Sequence, residues 1–197
     1  LNCKSFTALL LPDEFTTMGK SAFEGCIKLT VAKLGKSLTA VPEAAFKNCI
    51  ALSEMRVPAT AKSIGDEAFY NDYTLAVVSM QEGLETIGAR VFYNNRGILE
   101  FSIPGSVTSI GQNSFYGCIN TSVMSFEDGG KILTIDTKNT RSAKIDALTN
   151  GTYQDRKNDY FYDCPIELLY LGRNLEYDYS DGTYIYDLVD GKWQQVK

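Results

Sequence analysis

A β-rich repeat solenoid is the fold class this sequence predicts: right-handed stacked coils with parallel short strands, short 3₁₀ or helical corners, and a C-terminal hairpin cap. Three observations predict it. Phe23, Phe46, Phe69, Phe92 and Phe115 recur every 23 residues with no insertion or deletion between them. Other columns keep the same register, with Met18, Val41, Ile64, Ile87 and Ile110 in one and Phe15, Leu38, Ala61, Leu84 and Val107 in another. A third pattern, L-x-x-L-x-L, runs through Phe6, Leu9, Leu11, then Leu29, Ala32, Leu34, then Leu52, Met55, Val57, Leu75, Val78, Met80 and Ile98, Phe101, Ile103. A fixed period of this length marks one structural unit per repeat.

The spacing assigns each element. The last two apolar residues of L-x-x-L-x-L stand two apart, as on one face of a strand, and the residues between them face away. Pro12, Gly35, Pro58 and Pro104 follow, with Gln81 as the exception, and proline, which has no N–H, closes a strand. A second short extended piece is expected at V-x-x-I-G, as at 107–111. A corner then carries small residues (Ala22, Ala45, Ala68, Val91, Ser114) and the Phe. In GDEAFYN, Asp66 is expected to cap the N–H groups after Gly65, Gly65 to permit a tight turn, and Phe69 to point inward. One such coil cannot bury its apolar face, but coils stacked about 4.8 Å apart cover one another.

The pattern defines three regions: 1–126 as the solenoid, 127–160 as a polar excursion or a degenerate coil, and 161–197 as a last coil with a Tyr-rich cap. Lys138 stands where the next Phe is due, yet FYDC at 161–164 repeats FYGC at 115–118 after 46 residues, two periods. Both readings of the interval stay open, and the missing apolar columns favour the excursion. IELLYLGRNL after Cys164 reads as another strand with one residue missing from the spacing. In TYIYDLVDGKWQQV, alternating apolar residues around Asp190-Gly191 predict a hairpin. Cys3 already sits in its column, so the chain is expected to start inside a coil, with residues upstream cut away.

Composition narrows the chemistry. With 44% hydrophobic and 22% charged residues, the 197-residue chain can bury a substantial core. No apolar run reaches the roughly 18 residues of a membrane span. A net charge of −5 without a basic stripe argues against nucleic acid. The chain has no His, which excludes a Ser-His-Asp or Cys-His nucleophile and any His-ligated metal site.

The columns written together, L-x-x-L-x-L-P followed by V-x-x-I-G-x-x-A-F-x-x-C, resemble the BspA-like subclass of leucine-rich repeats of bacterial surface proteins, over about residues 3–126 and more loosely over 161–175. The resemblance implies a curved parallel β-solenoid in an exported or surface-attached protein, hence extracellular or cell-surface localisation, and adhesion to host or neighbouring-cell proteins. It carries over no functional residue, because the repeat columns are scaffold.

Candidate residues divide into scaffold and free surface. Cys3, Cys26, Cys49, Cys118 and Cys164 share one position three residues after the Phe, and Asp72 and Asn95 replace the thiol in two coils. A ladder of buried small residues bonding to the backbone fits better than disulfides or a metal or redox site, since three successive cysteines cannot all pair. Glu54 and Glu100 share a column two coils apart, near 10 Å. That overlaps the spacing of inverting glycosidases, but nothing would raise the acid, so a solvated surface is the reading. Asp178, Asp181, Asp187 and Asp190 lack the spacing of a calcium loop. Tyr70, Tyr93, Tyr116 and Tyr162 form an edge column, and eight of the twelve tyrosines fall between 153 and 186, as a sugar-stacking site or a packed cap would have them.

The residues that face outward from the main strand are dictated by nothing in the fold. The predicted ligand-binding set is Val31, Lys33, Glu54, Arg56, Val77, Ser79, Glu100 and Ser102, on the concave sheet that leucine-rich repeats commonly use. An ordinary solvated sheet face is the competing reading. The predicted function is a non-enzymatic repeat module binding a host extracellular-matrix or bacterial surface protein, with no catalytic residue, metal or cofactor. A glycan-binding module using the C-terminal tyrosines and a structural spacer are the alternatives.

Overall fold

The computed structural model describes residues 3 and 5–127, together with the backbone of 133–136, 168–171, 175–179, 182–187 and 192–195. In chain order the strands are β1 (Ala8–Leu10), β2 (Val31–Lys33), β3 (Ala40–Val41), β4 (Glu54–Arg56), β5 (Ser63–Ile64), β6 (Val77–Ser79), β7 (Thr86–Ile87), β8 (Glu100–Ile103), β9 (Ser109–Ile110) and β10 (Val123–Phe126). They are followed by β11 (Leu133–Asp136), β12 (Leu168–Leu171), β13 (Leu175–Tyr179), β14 (Gly182–Asp187) and β15 (Lys192–Gln195).

From the second coil on, each coil contributes one strand to each of two faces, and the first contributes β1 alone. On the main face β1, β2, β4 and β6 pair in parallel, Ala8 opposite Val31, Val31 opposite Glu54 and Glu54 opposite Val77, so the register is the sequence period itself. β8, β10 and β12 continue this face as a second hydrogen-bonded group, and β6 and β8 stay in contact across the gap between the two ladders. On the other face β3, β5, β7, β9, β11 and β13 run in parallel order, and β14 and β15 extend it antiparallel. The hairpin expected around Asp190-Gly191 is thus present as the β14–β15 pair. Of the interval 127–160, read as a polar excursion or a degenerate coil, only Glu127 and the backbone of Leu133–Asp136 are described; the rest of it, like Tyr162 and Cys164, lies outside the described residues.

The core follows from the columns. Phe46, Phe69, Phe92 and Phe115 are fully buried and stack in single file from Phe23, with ring centroids 5.4, 5.7, 5.6 and 5.7 Å apart. Val41, Ile64, Ile87 and Ile110 are buried, as are Leu29, Leu52, Leu75 and Ile98. On β1, β2 and β4 the middle residue is buried between two exposed ones, as Met55 is between Glu54 and Arg56. Apolar area removed from water contributes about 25 cal/mol per Å², so this file of large rings is a substantial part of what holds the coils together.

The corners depart from expectation. They are successive tight turns, and no helix occurs among the described residues. Two residues per corner are left-handed: Ser21, Ala44, Glu67, Arg90 and Asn113 (φ 53° to 57°), then Gly25, Asn48, Asn71, Asn94 and Gly117 (φ 59° to 73°). A left-handed residue ends any 3₁₀ run and turns alternate N–H groups out of the coil. Tyr70 N–H therefore closes the turn onto Glu67 O, while Glu67, Phe69 and Asn71 donate to Ala89, Val91 and Tyr93 of the next coil at 2.9 to 3.0 Å. These inter-coil bonds offset a strain of roughly 1–2 kcal/mol for each non-glycine residue held at positive φ.

Two details of the GDEAFYN corner also differ. Asp66 Oδ1 accepts from Ala89 N–H of the next coil at 2.8 Å, so it caps across coils and not within its own. Gly65 is not in the left-handed region. Its lack of a side chain is required because a Cβ would lie 2.5 Å from Glu43 N, and the same close approach recurs at Gly88 and Gly111.

Candidate functional site

The predicted residues lie where the alternation puts them. Val31 and Val77 are 52% and 53% exposed, and Lys33, Glu54, Arg56 and Glu100 are exposed, whereas Ser79 and Ser102 are half-buried. The structure does not gather all eight into one site. Val31, Lys33, Glu54 and Arg56 line a groove of about 770 Å³ over β2 and β4, whereas Val77, Ser79, Glu100 and Ser102 lie on the sheet beyond it.

The groove has walls that column reasoning did not supply. On one side run Thr30 and Ser53, and on the other Lys36, Pro58 and Thr60. Thr60 Oγ1 lies 2.6 Å from Lys36 O and 2.8 Å from Leu38 O, which ties the bends of adjacent coils together. Gln81 closes the far end, where its Nε2 donates to Ser79 Oγ at 2.9 Å. Its signal in the sequence is that it replaces proline in the column that ends the strand. Proline could not reach back over the sheet.

Charge is distributed unevenly around the molecule. The bends and corners are laced by ion pairs between adjacent coils: Lys20–Glu43, Lys36–Asp13, Lys47–Glu67, Lys62–Glu85 and Arg90–Glu67. Asp13 is held below its ordinary carboxylate range, first by its hydrogen bond from Lys36, and Lys36 is raised by the same contact. Among the described residues, however, none forms an ion pair with Lys33, Arg56, Glu54 or Glu100 on the open sheet face. The wall cation Lys36 is already committed, and the floor cations are not.

The remaining candidates resolve as scaffold where they are described. Cys26, Cys49 and Cys118 are buried. Cys49 Sγ donates to Phe23 O and Cys118 Sγ to Phe92 O, each at 3.1 Å, which is the expected ladder. Burial pushes the Cys49 thiol far above its usual range. Tyr70, Tyr93 and Tyr116 stack at 4.8 and 4.5 Å with nearly parallel rings. Beside them Asn48, Asn71 and Asn94 form an amide ladder with Nδ2–Oδ1 distances of 3.1 Å. Of the C-terminal tyrosines, only the backbone of those in β12 to β14 is described.

This geometry defines a parallel β-solenoid repeat protein whose inward positions serve packing and whose open sheet face is free of that duty. Residues 1–122 match the BspA type leucine-rich repeat region in six copies, and the chain belongs to that family. Solved structures agree on the fold. A leucine rich cell surface protein from Faecalibacterium prausnitzii A2-165 is similar at 28% identity and a TM-score of 0.59, covering 64% of this chain. The chain spans 34% of that protein's length. A leucine rich repeat protein of T. pallidum is similar at 23% identity and a TM-score of 0.65, over 83% of this chain and 68% of its own. No curated protein matches.

Proposed function

We propose that this chain is a non-enzymatic recognition module, displayed at or beyond the cell surface, that holds a protein partner on the open face of its main sheet and serves adhesion. The observation that carries the reading is the contrast between the two kinds of charge. Ion pairs at the bends join coil to coil, whereas Lys33, Glu54 and Arg56 lie uncommitted in a groove beside the exposed Val31. Nothing in the stacking of coils requires them, and their substitution leaves the core untouched. A groove with a partly apolar floor and a few oriented polar groups is the ordinary form of a recognition surface. The surface location rests on the likeness to the F. prausnitzii cell surface protein.

The test is capture from extracellular-matrix and bacterial-surface extracts, compared with Lys33→Glu, Glu54→Lys and Arg56→Glu variants whose thermal unfolding is unchanged. Loss of the captured protein in the variants is the expected result. Equal capture by all of them removes this face from consideration.

A further inference from the structure

We infer that the groove over β2 and β4 takes an extended, carboxylate-bearing segment of a protein partner, with an acidic side chain bridging Lys33 and Arg56 and a neighbouring aliphatic side chain resting on Val31. This rests on the reading of the face as protein-binding and adds the chemistry of the partner.

The register makes the cation pair. Val31 lies opposite Glu54 and Ala32 opposite Met55, so Lys33 and Arg56 follow as lateral neighbours on strands about 4.8 Å apart. Like charges placed so repel each other in the free protein. Asp13 feels the charge of Lys33 and Glu54 shares the face of Arg56, but neither forms an ion pair with these cations, Asp13 being engaged by Lys36 at 2.7 Å. An arriving carboxylate gains attraction from both cations and removes the repulsion between them. The Arg56 fork can hold it with two parallel hydrogen bonds while Lys33 adds a point charge.

Four further features fix the form of the occupant. The backbone N–H and C=O groups of β2 and β4 are engaged with their strand neighbours, so a partner cannot add a strand here and must be read through side chains. Glu54 stands two residues before Arg56 on the same face and disfavours a second anion there, so the position next to the bound carboxylate calls for a neutral side chain. Val31, exposed beside Glu54, supplies the apolar contact for it. The groove volume of about 770 Å³ accommodates a few side chains and not a folded surface, which commits the occupant to an extended segment.

The experiment uses the full chain and a fluorescent peptide of alternating Glu and Leu, with Gln/Leu and Lys/Leu counterparts and a sulfated heparin oligosaccharide as comparison ligands, read by anisotropy. The Glu/Leu peptide is expected to bind about tenfold or more tighter than the Gln/Leu peptide. The Lys33→Gln/Arg56→Gln double variant is expected to lose that preference. Lys28→Glu, an exposed position outside the groove, serves as control and is expected to keep it. Equal binding of the Glu/Leu and Gln/Leu peptides, binding unaltered in the double variant, or binding of the oligosaccharide alone would each overturn the inference. Extract capture that depends on Lys33 and Arg56 while the Glu/Leu peptide fails to bind would sink the acidic-segment reading and leave the protein-binding face standing.

Discussion

The backbone N–H of Cys49 donates to Asp72 Oδ1 at 2.7 Å, which fastens a fully buried carboxyl group to the coil before it. Asp72 takes a column in which the side-chain donor reaches a Phe carbonyl 26 residues back. Cys49 reaches Phe23 O, Asn95 reaches Phe69 O and Cys118 reaches Phe92 O. A carboxylate has no proton to give, and Asp72 Oδ2 has no partner among the described residues. Burial holds the Asp72 carboxyl well above its usual range, because the charged form is disfavoured away from water.

A pH dependence of definite sign follows. A group whose pKa rises on folding contributes its full stability below its unfolded value, about 3.9 for Asp, and loses it as pH rises toward the folded value. Asp72→Asn keeps the shape, supplies the donor that Asn95 already uses, and removes the titration. Urea unfolding across a pH series should show the variant about 1–3 kcal/mol more stable at neutral pH, with the difference shrinking toward acid. Parallel pH curves for the two proteins would contradict this account.

Glu67 works in the opposite direction. Its carboxylate joins Lys47 at 2.6 Å and Arg90 at 2.7 Å, and the Lys47 hydrogen bond leads in holding it below its usual range. Its contribution is present above the unfolded Glu value, about 4.3, and is lost as pH falls through the folded value. Glu67→Gln should cost about 0.5–1 kcal/mol at neutral pH and low salt, less at high salt. A cost that high salt leaves unchanged would point to packing instead.

Coil spacing is tested by a pair of glycines in one column. A Cβ on Gly111 would stand 2.4 Å from Ala89 N, whereas one on Gly19 would meet nothing within 4 Å. Gly111→Ala should therefore destabilise by about 1–3 kcal/mol, and Gly19→Ala should change little. Equal melting of the two variants would show that the coils can part without cost.

Thiol accessibility gives a further check. Cys3 is exposed and Cys26, Cys49 and Cys118 are buried, so alkylation with peptide mapping should label Cys3 in the native protein and the other three only after unfolding. Native labelling of Cys49 at the rate of Cys3 would mean that the ladder opens.

How much of this could be read from the sequence depends on whether a residue type is forced by its place. Five phenylalanines in step announce the single file because a large apolar side chain must be buried in every coil. The free face was legible for the same reason in reverse, since Lys33 and Glu54 alternate with Ala32 and Met55. The corners were not, because Ala44, Glu67 and Arg90 occupy left-handed positions without the glycine that would mark them. Nor was the cross-coil bond of Asp66 to Ala89, which depends on which N–H groups turn outward. The groove wall was only half legible. Gln81 stood out as a missing proline, but its reach to Ser79 is a matter of rotamer.

A stack this regular carries an ambiguity of its own. Slide the chain by a whole coil and Phe again meets Phe and Ile again meets Ile, so packing alone hardly distinguishes the correct alignment from its slipped neighbours. The departures from the repeat are what tell one storey from the next: Pro42 among the glycines, Gln81 among the prolines, Asp72 and Asn95 among the cysteines. They act as index marks along a ruler, and a version of this protein idealised to a single consensus repeat would keep its glue and lose its address.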